Sequence, residues 1–193
     1  MLNPKVVSYV RFAESAEMKK ITATLLMVVA GALSCAAQDS SDWINYTSST
    51  GHYSVLIPKQ PQLMTQEGKT SSGNKVPQYV AVVEDSSATY MLAYFDYTTA
   101  SSFSFDKARD GMLANVKGTL VSEKPISLGR YPGRDVKISG NNSGVEFLAH
   151  VKYYDVNKRV YMVQFIFNKT NDTPETDAKA KKFFDSFKVV NTP

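Results

Sequence analysis

The chain contains two histidines, His52 and His150, and a Ser-His-Asp triad would have to use one of them. His52 follows a glycine in a predicted turn, and His150 lies between two apolar residues in a predicted strand. No G-x-S-x-G elbow is present, because Ser143 stands one place too late in the segment 140–144. The residues therefore offer no recognisable set of nucleophile, base and orienting acid.

Two short segments match catalytic motifs only in part. Ser104 and Lys107 fit the S-x-x-K pattern of penicillin-binding hydrolases, but the S-D-N and K-T-G motifs of that class are missing. Gly68-Lys69-Thr70 resembles the end of a phosphate-binding P-loop, whose first glycine would fall at Leu63. We therefore expect Ser104 to cap a helix and residues 68–75 to form a polar loop.

Metal chemistry has little support in the residue pattern. Asp96, Asp106 and Asp110 could bind a hard cation in principle, but three carboxylates on separate elements are more typical of a solvated surface. Zinc requires three or four ligands at short spacing, which two isolated histidines do not supply. We predict no catalytic residue, no metal and no cofactor, and hence no catalysis by this domain.

Tyrosine is the residue type with the clearest binding potential. Ten of the 11 tyrosines follow residue 37, and Tyr90, Leu92 and Tyr94 alternate along a predicted strand. Packing in the core and on the sheet explains them most simply. The alternative is an exposed tyrosine-rich face that binds a partner or a glycan, because tyrosine combines a large contact area with a polar tip. Lysines of the last helix could likewise contact anions or form its charged outer face: Lys179, Lys181, Lys182 and Lys188.

The N-terminal region has the layout of a secretory signal peptide. Two lysines after Met18 precede a charge-free, mostly apolar run over 21–33, and small residues follow up to Ala37. We predict cleavage between Ala37 and Gln38, with residues 18–37 as the signal and residues 1–17 as a mis-annotated extension. The apolar run is shorter than the ~20 residues that a membrane span needs. The protein is therefore predicted to be periplasmic or secreted, with no transmembrane span in the mature chain.

Cys35 is the only cysteine, and it lies inside the predicted signal region. Lipidation of Cys35 is the alternative to ordinary cleavage, and would tether the domain to the membrane. The preceding residues disfavour this alternative, because Leu33 stands one place too late for the usual lipobox. In either case the mature domain has no disulfide and must be stabilised by its core.

Residues 38–193 form a segment of one ordinary domain's length. Removing residues 1–37 takes away four of the 22 basic and two of the 18 acidic residues, which leaves a net charge of +2. A nucleic-acid-binding domain normally has a clustered basic face, whereas charges of both signs are interspersed here. We therefore predict no nucleic-acid partner.

Period-two alternation of apolar residues predicts most of the secondary structure as strands. Loops at 85–87 and 155–158 predict two hairpins, and Tyr131-Pro132-Gly133 has the residue order of a type II turn. In the second hairpin, the strand over 159–167 is apolar on both faces, which predicts a central position under a helix. One face of its partner strand is the predicted core face: Phe147, Ala149, Val151 and Tyr153.

Two segments change to helical spacing. Ser104 is the predicted N-cap of the first helix, which is expected to end near Gly118. Thr173 and Pro174 start the second, whose apolar stripe consists of Ala180, Phe183, Phe184 and Phe187. Strands, a helix, more strands and a terminal helix predict an α+β domain with a mainly antiparallel sheet flanked by two amphipathic helices.

The order of these segments resembles a group of exported bacterial domains of unknown function with the PsbP-like fold, named for the extrinsic photosystem subunit. The resemblance rests on Trp43 with Tyr46, 53–58, 90–96, 131–135, 159–161 and 183–188. It implies an antiparallel sheet flanked by helices, in a family whose better-known members bind other proteins. It implies no catalytic or ligand-binding residue.

The sequence thus predicts an exported binding or accessory domain that acts through a surface, with an envelope or extracellular protein or a small ligand as partner. Two alternatives remain: an envelope hydrolase with an unrecognised site, and a carrier of small lipophilic ligands. A pocket in which His150 bonds both a hydroxyl and a carboxylate would favour the hydrolase.

Overall fold

The structure is a computed structural model that describes residues 43–69, 75–97 and 103–190. The predicted extension, the signal peptide, its cleavage site at Ala37 and Gln38, and Cys35 lie outside the described residues. Within the described part of the chain, no helix is long and apolar enough to cross a membrane.

The described segments form ten strands and two α-helices, together with a 3-10 turn at Lys169–Asn171. The strands are β1 (Ile44–Ser48), β2 (Tyr53–Ile57), β3 (Gln62–Lys69), β4 (Lys75–Glu84), β5 (Thr89–Asp96), β6 (Thr119–Leu128), β7 (Tyr131–Asn142), β8 (Val145–Val156), β9 (Arg159–Asn168) and β10 (Lys188–Val189). The helices are α1 (Phe105–Val116) and α2 (Pro174–Ser186). This arrangement confirms the predicted α+β class.

Seven strands form the main sheet in the order β3-β4-β5-β9-β8-β7-β6, and all neighbours are antiparallel. The apolar strand β9 lies fourth of the seven, so its predicted central position is confirmed. A small antiparallel sheet has the order β1-β2-β10. Helix α2 and β2 pack together on one face of the main sheet, and α1 packs on β7 at the other face.

The core lies between the main sheet and the layer formed by α2 and the small sheet. Val55 and Ile57 of β2, Phe165 of β9 and Phe183 of α2 are fully buried there. At the opposite face the predicted core residues of β8 are buried as well: Phe147, Ala149, Val151 and Tyr153. Burial on both faces explains why most residues of β9 are apolar.

Both helices begin where their caps predict. The Ser104 hydroxyl accepts a hydrogen bond from the Lys107 amide at 3.3 Å, so the S-x-x-K segment is a helix cap. Thr173 accepts from the Thr176 amide, and Pro174 is the first residue of α2.

One predicted turn is wrong, and the ends of one predicted loop belong to strands. Tyr131, Pro132 and Gly133 belong to β7, and the preceding turn contains Gly129, which has φ +59°. Pro132 is tolerated because it pairs with β6 alone, since the pairing of β7 with β8 begins one residue later. The predicted loop over 68–75 is also partly incorrect, because β3 and β4 pair as far as Lys69 and Lys75.

Candidate functional site

A row of four tyrosines crosses the main sheet on the face covered by the small sheet. The strand registers place Tyr79, Tyr94, Tyr161 and Tyr154 side by side on β4, β5, β9 and β8. The rings of Tyr79 and Tyr94 are stacked, with centroids 5.0 Å apart and planes at 21°. Tyr94 and Tyr161 follow at 6.3 Å. Cross-strand aromatic pairs of this kind stabilise a sheet and make its surface rigid.

Two further aromatic rings cover most of the tyrosine row. Tyr53 of β2 lies 6.2 Å from both Tyr94 and Tyr161, and Phe187 stacks on Tyr154 with centroids 5.7 Å apart. Burial raises the pKa of Tyr53 well above its ordinary value and the pKa of Tyr154 to about 12. These hydroxyls are therefore protonated at neutral pH and can donate hydrogen bonds.

At β4 the tyrosine row is no longer covered by these two rings. Tyr94, Tyr154 and Tyr161 are buried, whereas Tyr79 is 40% exposed. Next to it on β3, Leu63 is 68% exposed, so that two large apolar side chains are exposed side by side. The exposed end of the row is therefore a rigid apolar surface whose aromatic ring is available to a partner.

Tyr79 and Leu63 form part of a groove of about 460 Å³ between the main sheet and the β1–β2 loop. The lining residues are Tyr46, Thr47, Ser48, Ser49, Thr50, Tyr53, Leu63, Met64, Thr65, Tyr79, Val80, Ala81 and Tyr94. None of these residues carries a charge at neutral pH. Aromatic rings beside hydroxyl groups are suited to an uncharged ligand that has both apolar surface and hydrogen-bonding groups.

Hydrogen bonds fix the loop that forms one wall of the groove. The Tyr94 hydroxyl donates to Thr50 Oγ1 at 3.0 Å, and the Tyr161 hydroxyl donates to the Gly51 carbonyl at 2.8 Å. Arg159 donates to the Thr50 carbonyl, lies 4.9 Å from the Tyr94 ring centroid, and forms a two-pronged ion pair with Asp96. The groove wall is thus held in place from below by side chains of the main sheet.

His150 has a carboxylate partner that the sequence did not indicate. Its Nε2 lies 2.6 Å from Asp135 Oδ1, and its ring packs 4.5 Å from that of Phe184. Burial alone would raise the pKa of Asp135, but the bond from His150 and the charges of Lys152 and Lys124 hold it below its ordinary value. Among the described residues, the recorded side-chain hydrogen bond of His150 is to this carboxylate and not to a hydroxyl.

The remaining candidate residues are not brought together. Asp96 pairs with Arg159, whereas Asp106 and Asp110 pair with Arg109. No group of three or more potential metal-ligating side chains exists in the described ranges. His52 has a positive φ of 53° in the β1–β2 turn.

The lysines of the last helix have intramolecular contacts. Lys179 reaches Asp85 and Glu175, Lys181 pairs with Asp185, and Lys182 lies 4.5 Å above the Trp43 ring. Lys188 lies in β10 rather than in the helix. These contacts favour the interpretation of a charged outer face over an anion site.

Of the tyrosine segment singled out in the sequence, Tyr90 and Leu92 are core residues, as the simpler interpretation predicts. Only Tyr94 reaches the groove. Sequence reasoning missed Leu63, Thr65 and the hydroxyl-rich loop, because β1 and β3 were not predicted as strands. The signal that could have pointed to the loop is the run of four Ser or Thr residues over 47–50, between Tyr46 and Tyr53.

No protein-family model matches the chain, and no curated protein matches its sequence. Among solved structures, it is similar to cyanobacterial PsbP (CyanoP) from Synechocystis sp. PCC 6803, with a TM-score of 0.54 and 11% sequence identity over 81% of this chain and 97% of that chain. It is also similar to protein of unknown function PA94 from Pseudomonas aeruginosa, with a TM-score of 0.43 and 10% sequence identity over 72% of this chain and 91% of that chain. For the immunity protein TplEi of the T6SS from Pseudomonas aeruginosa, the TM-score is 0.43 and the sequence identity is 8%, over 74% of each chain.

The two Pseudomonas likenesses are too distant to support an argument. The likeness to CyanoP concerns the fold alone, since the identity of the two sequences is low. It agrees with the resemblance found in the sequence: the chain has the PsbP-like fold.

Proposed function

We propose that this protein is an exported binding domain without catalysis of its own, and that the tyrosine-lined groove is its ligand-binding surface. The observation that carries the proposal is the exposure of Tyr79 at the end of a row whose other members are buried. A stacked, pre-positioned aromatic ring contributes contact area at little entropic cost. The neighbouring exposed Leu63 extends this surface.

Binding fits the groove better than catalysis does. Catalysis by general acid and base requires a titratable group within reach of the reacting atoms, and the groove lining includes only tyrosines as such groups. The hydrolase alternative would have to use Asp135 and His150. In the part of the chain that the structure describes, the ring of His150 has no hydrogen bond to a hydroxyl group.

The proposal extends to the processed form of the protein. Residues 18–37 would be removed after export, and the functional domain would begin at Gln38, so that the groove faces the periplasm or the medium. Intact-mass spectrometry of the protein isolated from the producing cell tests this. A mass equal to that of a chain beginning at Gln38 supports this processing. A mass equal to that of a lipid-modified chain beginning at Cys35 indicates the membrane-tethered alternative.

The groove itself is tested with two probe collections, a random 12-residue peptide library and a glycan array, applied to the purified full-length protein. We expect at least one collection to give ligands whose affinity falls at least tenfold in the Leu63→Ala variant. The matched control is Leu120→Ala, because Leu120 is an exposed leucine on the opposite edge strand, β6. Ligands whose affinity is equal in both variants and the wild type would contradict the proposal.

A further inference from the structure

We propose that the ligand of the groove is an extended polypeptide segment that pairs with β3 as an eighth strand of the main sheet. This inference rests on the proposed function of the groove and names the class of its ligand. It follows from three features of β3: its position, its unprotected edge, and the face on which its exposed side chains lie.

The first feature is the position of β3 at one end of the main sheet. β3 pairs with β4 along eight consecutive residue pairs, from Gln62 to Lys69, without a register shift. Within the described ranges, no strand pairs with its other edge. An edge strand presents a row of unpaired N–H and C=O groups, which are spaced to bind another extended backbone.

The second feature is that the two edges of the sheet differ. The opposite edge, β6, contains Pro125 and an irregular register between Leu120 and Ser122. A proline and a bulge are devices that prevent pairing with another chain. β3 has neither device within Gln62–Lys69. In the described part of the chain, the β6 edge thus carries devices against pairing, whereas β3 has none of them from Gln62 to Gln66 and pairs with no strand on its outer side.

The third feature is the alternation of side chains along β3. Leu63 and Thr65 pair with Ala81 and Tyr79, so their side chains lie on the face that carries the tyrosine row. A strand added beside β3 would lie about 4.8 Å away. Every second side chain of that strand would then stand next to Leu63 and Thr65, at the open side of the groove.

The chemistry of the groove defines the segment. Its lining is uncharged and combines tyrosine rings with Ser and Thr hydroxyls, so the groove-facing residues of the segment should be apolar or aromatic. Among the described residues, the ion pair at this strand joins Glu67 and Lys75, at the end of β3 that is far from Leu63. A glycan could stack on Tyr79, but it would leave the backbone groups of β3 unused. A polypeptide uses both the edge and the groove, and is therefore favoured.

The experiment uses a phage-displayed random 12-residue peptide library, selected on the purified full-length protein. Two variants, Thr65→Pro and Gln66→Pro, are compared with the wild type. The N–H groups of adjacent strand residues point to opposite edges, so one proline removes an outward N–H and the other removes an N–H directed at β4. Thermal unfolding identifies the outward position, as the variant that keeps the wild-type melting temperature to within a few degrees.

We expect selected peptides to bind the outward-position variant at least tenfold more weakly than the wild type. Hydrogen exchange should show that the bound peptide protects alternate amides of β3. As a control on the opposite edge, Ser127→Pro in β6 should leave peptide affinity unchanged. If both proline variants unfold, the hydrogen-exchange measurement on the wild-type complex decides alone.

This inference is overturned if selection yields no peptide or if selected peptides bind without protecting the β3 amides. It is also overturned if the β3 amides are already protected in a dimer of the free protein, which would make a second copy the occupant. Glycan binding that depends on Leu63 would also overturn the polypeptide class, yet it would leave the groove as the binding surface. If no probe binds with an affinity that depends on Leu63, the proposed function itself is contradicted.

Discussion

Tyr79 and Tyr94 stack across the β4–β5 pair with their centroids 5.0 Å apart, and only the outer ring of the two is exposed. The buried ring is held by three contacts: the hydroxyl of Thr50, the guanidinium of Arg159 and the ring of Tyr53. Because its inner neighbour cannot move without disturbing the core, Tyr79 is presented to the groove in a fixed orientation. This relationship connects the packing of the main sheet with the proposed binding surface.

Gly133 leaves room for Tyr154, the member of the tyrosine row that lies on β8 beneath Phe187. A Cβ atom at this position would lie 2.5 Å from the Tyr153 carbonyl oxygen and 2.7 Å from the Tyr154 ring. Since backbone atoms cannot give way cheaply, we predict that Gly133→Ala lowers the free energy of unfolding by about 3 kcal/mol. Urea denaturation followed by tyrosine and tryptophan fluorescence measures this.

The matched control is Gly111→Ala. Gly111 lies inside α1, and a Cβ atom there meets nothing within 4 Å. Alanine in a helix interior is favoured over glycine, so this variant should gain about 0.5–1 kcal/mol. An equal effect of the two substitutions would show that Gly133 does not make room for the row.

Asp85 makes the stability of the domain depend on pH in the acidic range. Its carboxylate accepts hydrogen bonds from the amides of Ser87 and Ala88 at 2.8 Å and from the Tyr90 hydroxyl at 2.9 Å. Burial alone would raise the pKa of Asp85, but these bonds more than offset it and hold the pKa below its ordinary value. The ionised form therefore stabilises the fold above the ordinary aspartate pKa, and this contribution is lost as pH falls through the lowered pKa.

We predict that Asp85→Asn costs about 1–3 kcal/mol at pH 7, because an amide replaces a charged acceptor. The cost should shrink as the pH approaches the lowered pKa of the wild-type carboxyl. Unfolding free energies of both proteins from pH 7 down to pH 3 test this. A difference between the two proteins that stays constant over this range would contradict the assignment.

Glu123 of β6 attaches α1 to the main sheet. Its two carboxylate oxygens accept from Arg109 at 2.5 Å and from Arg134 at 2.6 Å, and its side chain is largely buried. Removing it takes away the largely buried partner of both guanidinium groups and leaves them only the exposed Asp106 carboxylate to share, at 3.5 Å from Arg109 and 3.4 Å from Arg134. We predict that Glu123→Ala lowers the melting temperature by at least about 4 °C.

Asp110→Ala is the control for this prediction, because Asp110 also pairs with Arg109 but is exposed. Exposed ion pairs contribute little to stability, so its melting temperature should stay close to that of the wild type. If the two variants melted alike, the buried carboxylate would not be the group that holds α1.

Sequence periodicity predicted the central strands and both helices, because these elements have strong apolar alternation or clear caps. It failed at β3 and β6, whose residues are mostly exposed and therefore lack the alternation that burial imposes, and at β1, which has only five residues. Pro125 and the bulge further obscure β6. The misplaced turn at Pro132 has a similar cause, since the residue order of a turn does not show that a strand has only one neighbour there.

The candidate site was only partly predictable for a related reason. The tyrosines of β5 drew attention to an aromatic face, but which tyrosine is exposed depends on strand order and register. Tyr79 is exposed because it lies one strand from the sheet edge, and β3 carries the groove's only exposed leucine. The pairing of Asp135 with His150 likewise arises from the register between β7 and β8.

The most direct test of the binding surface is the affinity of the Tyr79→Ala variant for library-selected peptides, measured by isothermal titration calorimetry beside the wild type. The stacked pair contributes about 0.5–1.5 kcal/mol to stability, so the variant should remain folded, which thermal unfolding verifies. We predict that its dissociation constants are at least ten times those of the wild type. Unchanged dissociation constants in a folded Tyr79→Ala protein would contradict the central claim that the exposed end of the tyrosine row binds the ligand.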